Sequence, residues 1–589
     1  MIIQALDAYY KRLAQDPEEN ISLQGFSVAK ILFALVLSPQ GELVEVQDLR
    51  LTKGKRKEPL FLEVPEAVIR SAGISPNFLW DKTDYVLGAA APPKNKEKTN
   101  PGKEAKDAQR AIQAFESFVE LCHQVGDGLD DPGMAAVLTF LDSWNPEKAA
   151  ELSLWEEMAG QNLVFRLDGA RGFVHQSPTV RQAWLEHYNS KDTGAQGQCL
   201  VSGEIQPLEK THPKIKGVAG GQPSGTSLVS FNLDAFKSYG KEQNLNSPIS
   251  SQSAFNYTTA LNRLLQADNE RMVRIGETSV VFWTENKSPA SKRFGMVLKP
   301  PQAEDSALNQ ELQVFLESLK AGKHSTGLEG ENPFYALGLS PNSSRISVRF
   351  WLASTVAEME KRLSEHFHDL ELVRQWENES PYPSPWALLR ETALQKKSSN
   401  ISPKLSGDFT RAIITGQSYP RSLLEAVLER IRADQQVNYL RTALIKAYLS
   451  RCYRLSPSYR NNPNHMEVSM SLDKQSTDTA YRLGRLFAAL EKLQRDALGT
   501  LNATIRDRYI SSASATPKVA FPHLLRLAQA HMKKTEYAKS HDKTLGEIMD
   551  GIDAFPAHFT LEQQGQFFLG YYHQRKDFFT AKNDKESEG

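Results

Sequence analysis

Apolar residues recur along this chain in two distinct rhythms. Residues 2–14 place Ile2, Ile3, Leu6, Tyr9, Tyr10 and Leu13 on one face at helical spacing, which predicts an amphipathic helix. Ile31–Leu37 (ILFALVL) is short and continuously apolar, the pattern of a strand buried on both sides. LVSFN (228–232), TSVVFWTE (278–285) and RISVRFWLA (345–353) are β-branched and aromatic and predict strands; the last alternates Ile346, Val348 and Phe350. SSQSAFNYTTALNRLL predicts a helix capped by Ser250 or Ser251, with Phe255, Leu261, Leu264 and Leu265 facing inward. Residues 92–106 are rich in Pro, Lys and Asn without periodicity and predict an exposed loop.

Past residue 400 only the helical rhythm persists. Leu423, Leu424, Val427, Leu428 and Ile431 repeat at 3–4 residue spacing, as do Leu483, Leu486, Phe487, Leu490 and Leu493, then Leu524, Leu525, Leu527 and Ala528. Residues 454–475 interrupt them with Pro, Asn and Ser and predict an uncovered linker. No repeat of 20–50 residues is present. The chain is too long for one core, so the reading is a multidomain α+β protein. Its expected parts are a mixed α/β N-terminal domain (1–265), a mixed α/β middle region (266–400), a basic helical segment (401–465) and a C-terminal helical bundle (466–589).

Composition narrows the function. Lys+Arg and Asp+Glu both number 70, unlike a free-standing DNA-binding protein, though local basic surfaces remain possible. Cys122, Cys199 and Cys452 are far apart and form no CxxC, so a disulfide framework or cysteine zinc site is not expected; each suits a buried small residue. The start lacks a signal-peptide pattern and no apolar run reaches the roughly 20 residues of a membrane helix, so a cytoplasmic protein is expected.

The richest chemical signal is HPKIKGVAGGQPSGTSLVSFN (212–232). A nucleotide-phosphate loop would read GxxxxGK[ST], but here the lysines precede the glycines and GxGxxG is absent. His368-Asp369 and His541-Asp542 suggest a metal-dependent nuclease only weakly, because neither has a ligand cluster nearby in sequence. No GxSxG or HExxH stands out, so neither catalysis nor a cofactor is expected.

RSAGISPNFLWDKTDYVLG (70–88), CLVSGEIQPLEKTHPKIKGV (199–218), GTSLVSFNLDAFKSYGKEQNLNSPIS (225–250), FYALGLSPNSSRISVRFW (334–351), SASATPKVAFPHLLRLAQAHMKK (512–534) and FFLGYYHQR (567–575) carry a resemblance. The chain resembles the large subunit of the type I-C (Dvulg subtype) CRISPR Cascade complex, with a departure at Trp80 and Lys82. The resemblance implies a non-catalytic subunit that contacts the PAM duplex while the guide reads the target by base pairing. It implies the backbone, handle-binding and small subunits, guide RNA, target duplex and displaced strand as partners. It further implies strand separation, recruitment of a separate helicase–nuclease, and a separately translated C-terminal product. Met466, with Met470 as a second possibility, is the candidate internal start, giving residues 466–589; otherwise both are ordinary linker residues.

Site residues follow from both arguments. Lys210, His212, Lys214 and Lys216 alternate and would project from one side of an extended segment, with glycines allowing close approach to sugar-phosphate. Gln222, Ser224 and Asn232 would donate to phosphates or base edges; the alternative is a solvated hairpin. Asn77 would pair with a base and the exposed-looking Phe78 and Trp80 would wedge against a step, unless they pack inward. Lys53, Lys55, Arg56 and Lys57 form the densest basic cluster, either a solvated hairpin tip or a phosphate or guide contact. Residues 401–460 hold ten Lys/Arg against four acids, and Arg421, Arg430, Arg441 and Arg451 are candidates for the displaced strand. A neighbouring-subunit face, or a purely architectural subunit, is the competing reading.

Overall fold

In a computed structural model, the described residues are 1–16, 19, 21–53, 56–68, 70, 73–92, 101–190, 195–266, 269–275, 277–300, 305–461 and 467–586. The chain divides into two compact units. Unit 1 comprises Ile3–Pro213 and Val229–Ala260; unit 2 comprises Lys214–Leu228 and Leu261–Gly589. Unit 2 thus holds together the stretches expected as separate parts at 266–400, 401–465 and 466–589.

Unit 1 opens with the predicted helix, Ile2–Gln15, burying Leu6, Tyr9, Tyr10 and Leu13. The apolar run at 31–37 is divided between two strands. β1 (Phe26–Ile31) ends at Ile31, Leu32 intervenes, and β2 (Phe33–Leu37) follows, buried at every position. β2 is antiparallel to β3 (Leu43–Asp48), while β4 (Leu51–Lys53) and β5 (Arg56–Glu58) form a hairpin. β6 (Leu60–Pro65) pairs with β1 as a separate ribbon, and β7 (Trp80–Lys82) joins the main sheet. β8 (Asn162–Leu167) runs parallel to β2, giving the order β3-β2-β8-β7. Phe33, Leu35 and Leu37 join one core with Phe118, Val137, Phe140 and Phe165, whereas Ala34 of β2 joins Trp80, Val164, Ile31 and Val64. Two packed faces explain why β2 reads as unbroken hydrophobicity. β9 (Gln196–Gln198) and β10 (Ile205–Pro207) form a short ribbon.

Two expectations in the first half need correction. Residues 101–106 are not loop but open the helix Pro101–Gly126, since Pro is tolerated at a helix start. LVSFN forms no strand; only Thr226 and Ser227, just before it, make isolated bridges.

Unit 2 is built on the meander β11 (Met272–Ile275), β12 (Thr278–Thr284), β13 (Pro333–Asn342) and β14 (Arg345–Thr355), all antiparallel. The expected alternation along β14 fails. Leu339 opposes Val348 and Gly338 opposes Phe350, so Arg349 is an extra residue, a β-bulge that breaks the two-residue period. Phe350 consequently falls on the face opposite Ile346 and Val348, and Val348 is exposed.

The helices past 400 form as predicted, but the break at 454–475 is shorter: helix Tyr439–Leu455 and a turn at Pro457–Arg460 occupy its first part. One hydrophobic cluster runs from Val273 on β11 to Tyr572 in the last helix, Leu561–Glu586. That helix meets Thr479–Leu498 nearly backbone to backbone. A Cβ on Gly484 would fall 1.9 Å from the Phe567 carbonyl oxygen, and one on Gly570 2.0 Å from that of Tyr481. Its Gly565 faces Leu424, Ile445 and Leu449, so the C-terminal helices share their core with those before residue 460. Met466 lies outside the described residues; Met470 is exposed, and its carbonyl accepts from the Val373 amide at 2.9 Å. No described helix is long and apolar enough to cross a membrane.

Candidate nucleic-acid interface

The glycine-rich segment closes as a hairpin within unit 2. Ile215 and Thr226 exchange both backbone hydrogen bonds at 2.8 Å. Asn262 fixes one arm, accepting from the Lys216 amide at 2.7 Å and donating to the Lys214 carbonyl at 3.2 Å. The glycines serve this closure. At Gly217 (φ +90°) a Cβ would lie 2.6 Å from the Leu265 carbonyl oxygen, and at Gly225 (φ +98°) 2.7 Å from the Lys214 Cβ. Only glycine fits such positions, so at these two the close approach is to the protein's own chain rather than to a ligand.

The hairpin is seated on the sheet. The Ala219 amide donates to Ser279 Oγ of β12 at 3.0 Å, and Ser227 bridges Arg345 at the start of β14. Buried Ile215 and Val218 anchor it, leaving Lys214, Lys216, Gln222 and Ser224 exposed. Lys214 Nζ donates to Ser227 Oγ at 2.8 Å, which holds one ammonium in place. Two cations and two neutral donors therefore stand together on a braced surface hairpin.

The other candidates in that stretch belong to unit 1. Lys210 is exposed, but His212 turns inward and its Nδ1 meets the Tyr257 hydroxyl at 2.7 Å. Burial lowers the His212 pKa to about 4, so the ring is neutral near pH 7 and adds no cation. The expected one-sided row of four is thus not formed. Asn232 opens a stretch, 232–242, in which every residue is exposed; it includes Tyr239 at 98% exposure and φ +51°. Nothing in the local sequence pattern marks Tyr239.

Asn77, Phe78 and Trp80 are interior rather than exposed. Phe78 is fully buried and stacks on Trp184 with ring centroids 5.2 Å apart. Asn77 Oδ1 accepts from the Val68 amide at 2.8 Å, and its own backbone amide donates to Asp81 at 2.9 Å. Trp80 Nε1 donates to the Pro65 carbonyl at 2.8 Å. This loop is a buttress, because an apolar ring and an amide with local backbone partners gain more from the core than from water. In the basic cluster, Lys53 and Arg56 are register partners of the β4–β5 hairpin, and Lys57 pairs with Asp48 at 2.8 Å. Lys55 lies outside the described residues.

The four arginines separate sharply. Arg441 and Arg451 are fully buried. Arg451 Nε donates to Asp369 at 2.8 Å, its Nη1 donates to the Ala412 and Gln417 carbonyls, and its guanidinium lies 4.0 Å from the Tyr419 ring centre. Arg441 pairs with Asp434 and with Glu391, the latter at 3.1 Å. Neither offers charge to a strand, because each buried guanidinium is already matched by carboxylates that compensate its lost hydration. Arg421 is exposed beside Glu425, and Arg430 is mostly covered between Glu429 and Asp434.

The His-Asp dipeptides do not converge on a metal site. Asp369 is taken by Arg451 and Arg454 while His368 points to solvent, and His541 Nε2 meets Asp496 at 3.0 Å. Among the described residues no group of three or more His, Cys, Asp and Glu is arranged to hold a metal.

The family model described as CRISPR-associated protein (Cas_Csd1) matches residues 6–579. The chain belongs to that family. No curated protein matches it.

Proposed function

For a CRISPR-associated chain of this family, we propose the role of large subunit in a type I-C Cascade complex. In this reading it is non-catalytic: it grips the PAM-bearing duplex, aids separation of the strands and recruits a helicase–nuclease in trans. The carrying observation is the braced hairpin 214–228, with Lys214, Lys216, Gln222 and Ser224 directed outward from a sheet. Cations and neutral donors on a fixed backbone suit phosphates, whose contacts set register without reading sequence. The chain's zero net charge fits a subunit that shares a nucleic-acid channel with others.

The test is binding of target duplex by the assembled complex across a salt series. Lys214→Ala with Lys216→Ala should weaken all target sequences alike and reduce the log–log salt slope by about 0.9 for each duplex phosphate that is no longer neutralised. Unchanged affinity and slope would remove the hairpin from the interface.

A further inference from the structure

A second site lies on the opposite face of the same sheet. Thr278 and Ser279 are consecutive on β12, so their side chains point to opposite faces. Ser279 meets the glycine-rich hairpin, whereas Thr278 Oγ1 is 3.7 Å from where a Cβ on Gly407 would stand. Helix Pro403–Thr415 therefore covers the other face, and between it and β14 opens a cleft of about 590 Å³. That volume falls within the roughly 300–1,000 Å³ of small-ligand sites.

The β14 bulge sets two consecutive side chains, Arg349 and Phe350, along this cleft. Opposite them, the helix contributes Lys404, Asp408 and Arg411, spaced i, i+4 and i+7 on one face. Such spacing commonly yields ion pairs, yet none forms: among the described residues the side chains of Lys404 and Arg411 have no hydrogen-bond or ion-pair partner. Glu277 completes the polar lining, and Arg349 Nε donates to Ser340 Oγ at 2.5 Å.

Three cations, two carboxylates and an aromatic ring select among ligands. A bare run of phosphates or an acidic peptide would be repelled by Asp408 and Glu277. A nucleotide satisfies all three classes: phosphate for the cations, a ring face for Phe350, and an amino group for a carboxylate. We propose that this cleft receives one nucleotide of a single strand bearing an amino-containing base. Its phosphate contacts Arg349, Lys404 and Arg411, and its exocyclic amine donates to Asp408 or Glu277. This rests on the reading that the chain contacts nucleic acid, and adds a site distinct from the hairpin.

The experiment measures anisotropy of labelled dT12 and dC12 with the full-length protein over a salt series. Thymine lacks an exocyclic amine, so the wild type should prefer dC12 several-fold. Lys404→Ala with Arg411→Ala should weaken both oligonucleotides and lower the salt slope by about 0.7 for each phosphate left without its cation. Asp408→Ala with Glu277→Ala should abolish the preference and leave dT12 binding no weaker. Lys404 and Arg411 are both exposed, and unfolding curves verify that the variants fold. If the double variant binds like wild type while Lys214→Ala with Lys216→Ala weakens binding, the cleft is refuted and the hairpin stands. Equal affinity for both oligonucleotides refutes the base contact and with it the nucleotide site. Displacement of neither strand by excess dCMP, but of both by a polyglutamate peptide, reassigns the cleft to protein. Absence of any single-strand binding refutes the cleft; absence of duplex binding by the assembled complex as well defeats the functional reading too.

Discussion

Helices Pro403–Thr415 and Tyr439–Leu455 come from the same basic stretch and use their charges in opposite ways. On the second, Arg441 and Arg451 are fully buried against Glu391, Asp434 and Asp369. On the first, Lys404 and Arg411 face a cleft and, among the described residues, have no partner of their own. The difference lies in distant acids: Asp369 stands 82 residues before Arg451 in sequence and reaches it through packing of helix Val356–Leu370 against Tyr439–Leu455. A count of ten cations in sixty residues therefore overstates the charge available to a ligand. Position relative to a carboxylate decides whether a cation is locked into the fold or left at the surface.

The largest expected effect breaks the buried member of this comparison. Arg451→Ala leaves Asp369 buried with only Arg454, and should cost about 3–5 kcal/mol of stability in denaturant unfolding, toward the lower end because Arg454 remains at 2.6 Å. A loss under about 1 kcal/mol would mean the pair is not the structural lock described.

A smaller effect sharpens it through pH. His366 is fully buried against Tyr419 beside Arg451, and burial, then the arginine charge, hold its pKa well below 6.5. The unfolded chain binds a proton that the folded one does not, so stability should fall as pH drops below about 6.5, by up to about 1.4 kcal/mol per unit from this group. His366→Phe should flatten that slope; a slope unchanged by the substitution would assign the pH sensitivity to other buried histidines such as His573.

The smallest effect concerns the exposed member. Lys404→Ala with Arg411→Ala should change unfolding free energy by no more than about 0.5 kcal/mol for each site, as expected of unpaired surface cations. A loss of several kcal/mol would show that they support the fold after all.

How much of the molecule was legible varied with the range of the interactions involved. Helix Ile2–Gln15, strand β12 and the C-terminal helices follow from periodicity, because an amphipathic repeat reports which face will be buried. The antiparallel pairing of Leu51–Lys53 with Arg56–Glu58 was also readable as a hairpin, a local geometry. The candidate site was legible only in part. Lys214, Lys216, Gln222 and Ser224 are exposed as their polarity suggested, but His212, Asn77 and Phe78 are buried, and no local rule separates the two groups.

The sequence by itself determined the α+β class, the helical C-terminal part and the glycine-rich hairpin as a turn-rich cationic segment. It also carried the family resemblance across nearly the whole chain. Tertiary structure alone decided the bulge that directs Arg349, the pairing of Arg451 with Asp369, and the close helix packing at Gly484 and Gly570. It also merged the expected C-terminal bundle with the helices before residue 460. Periodicity encodes how each segment divides between core and water, and that division is local. Which cation meets which acid, and which glycine lies under which carbonyl, depends on contacts between segments tens to hundreds of residues apart, where no local pattern carries the information.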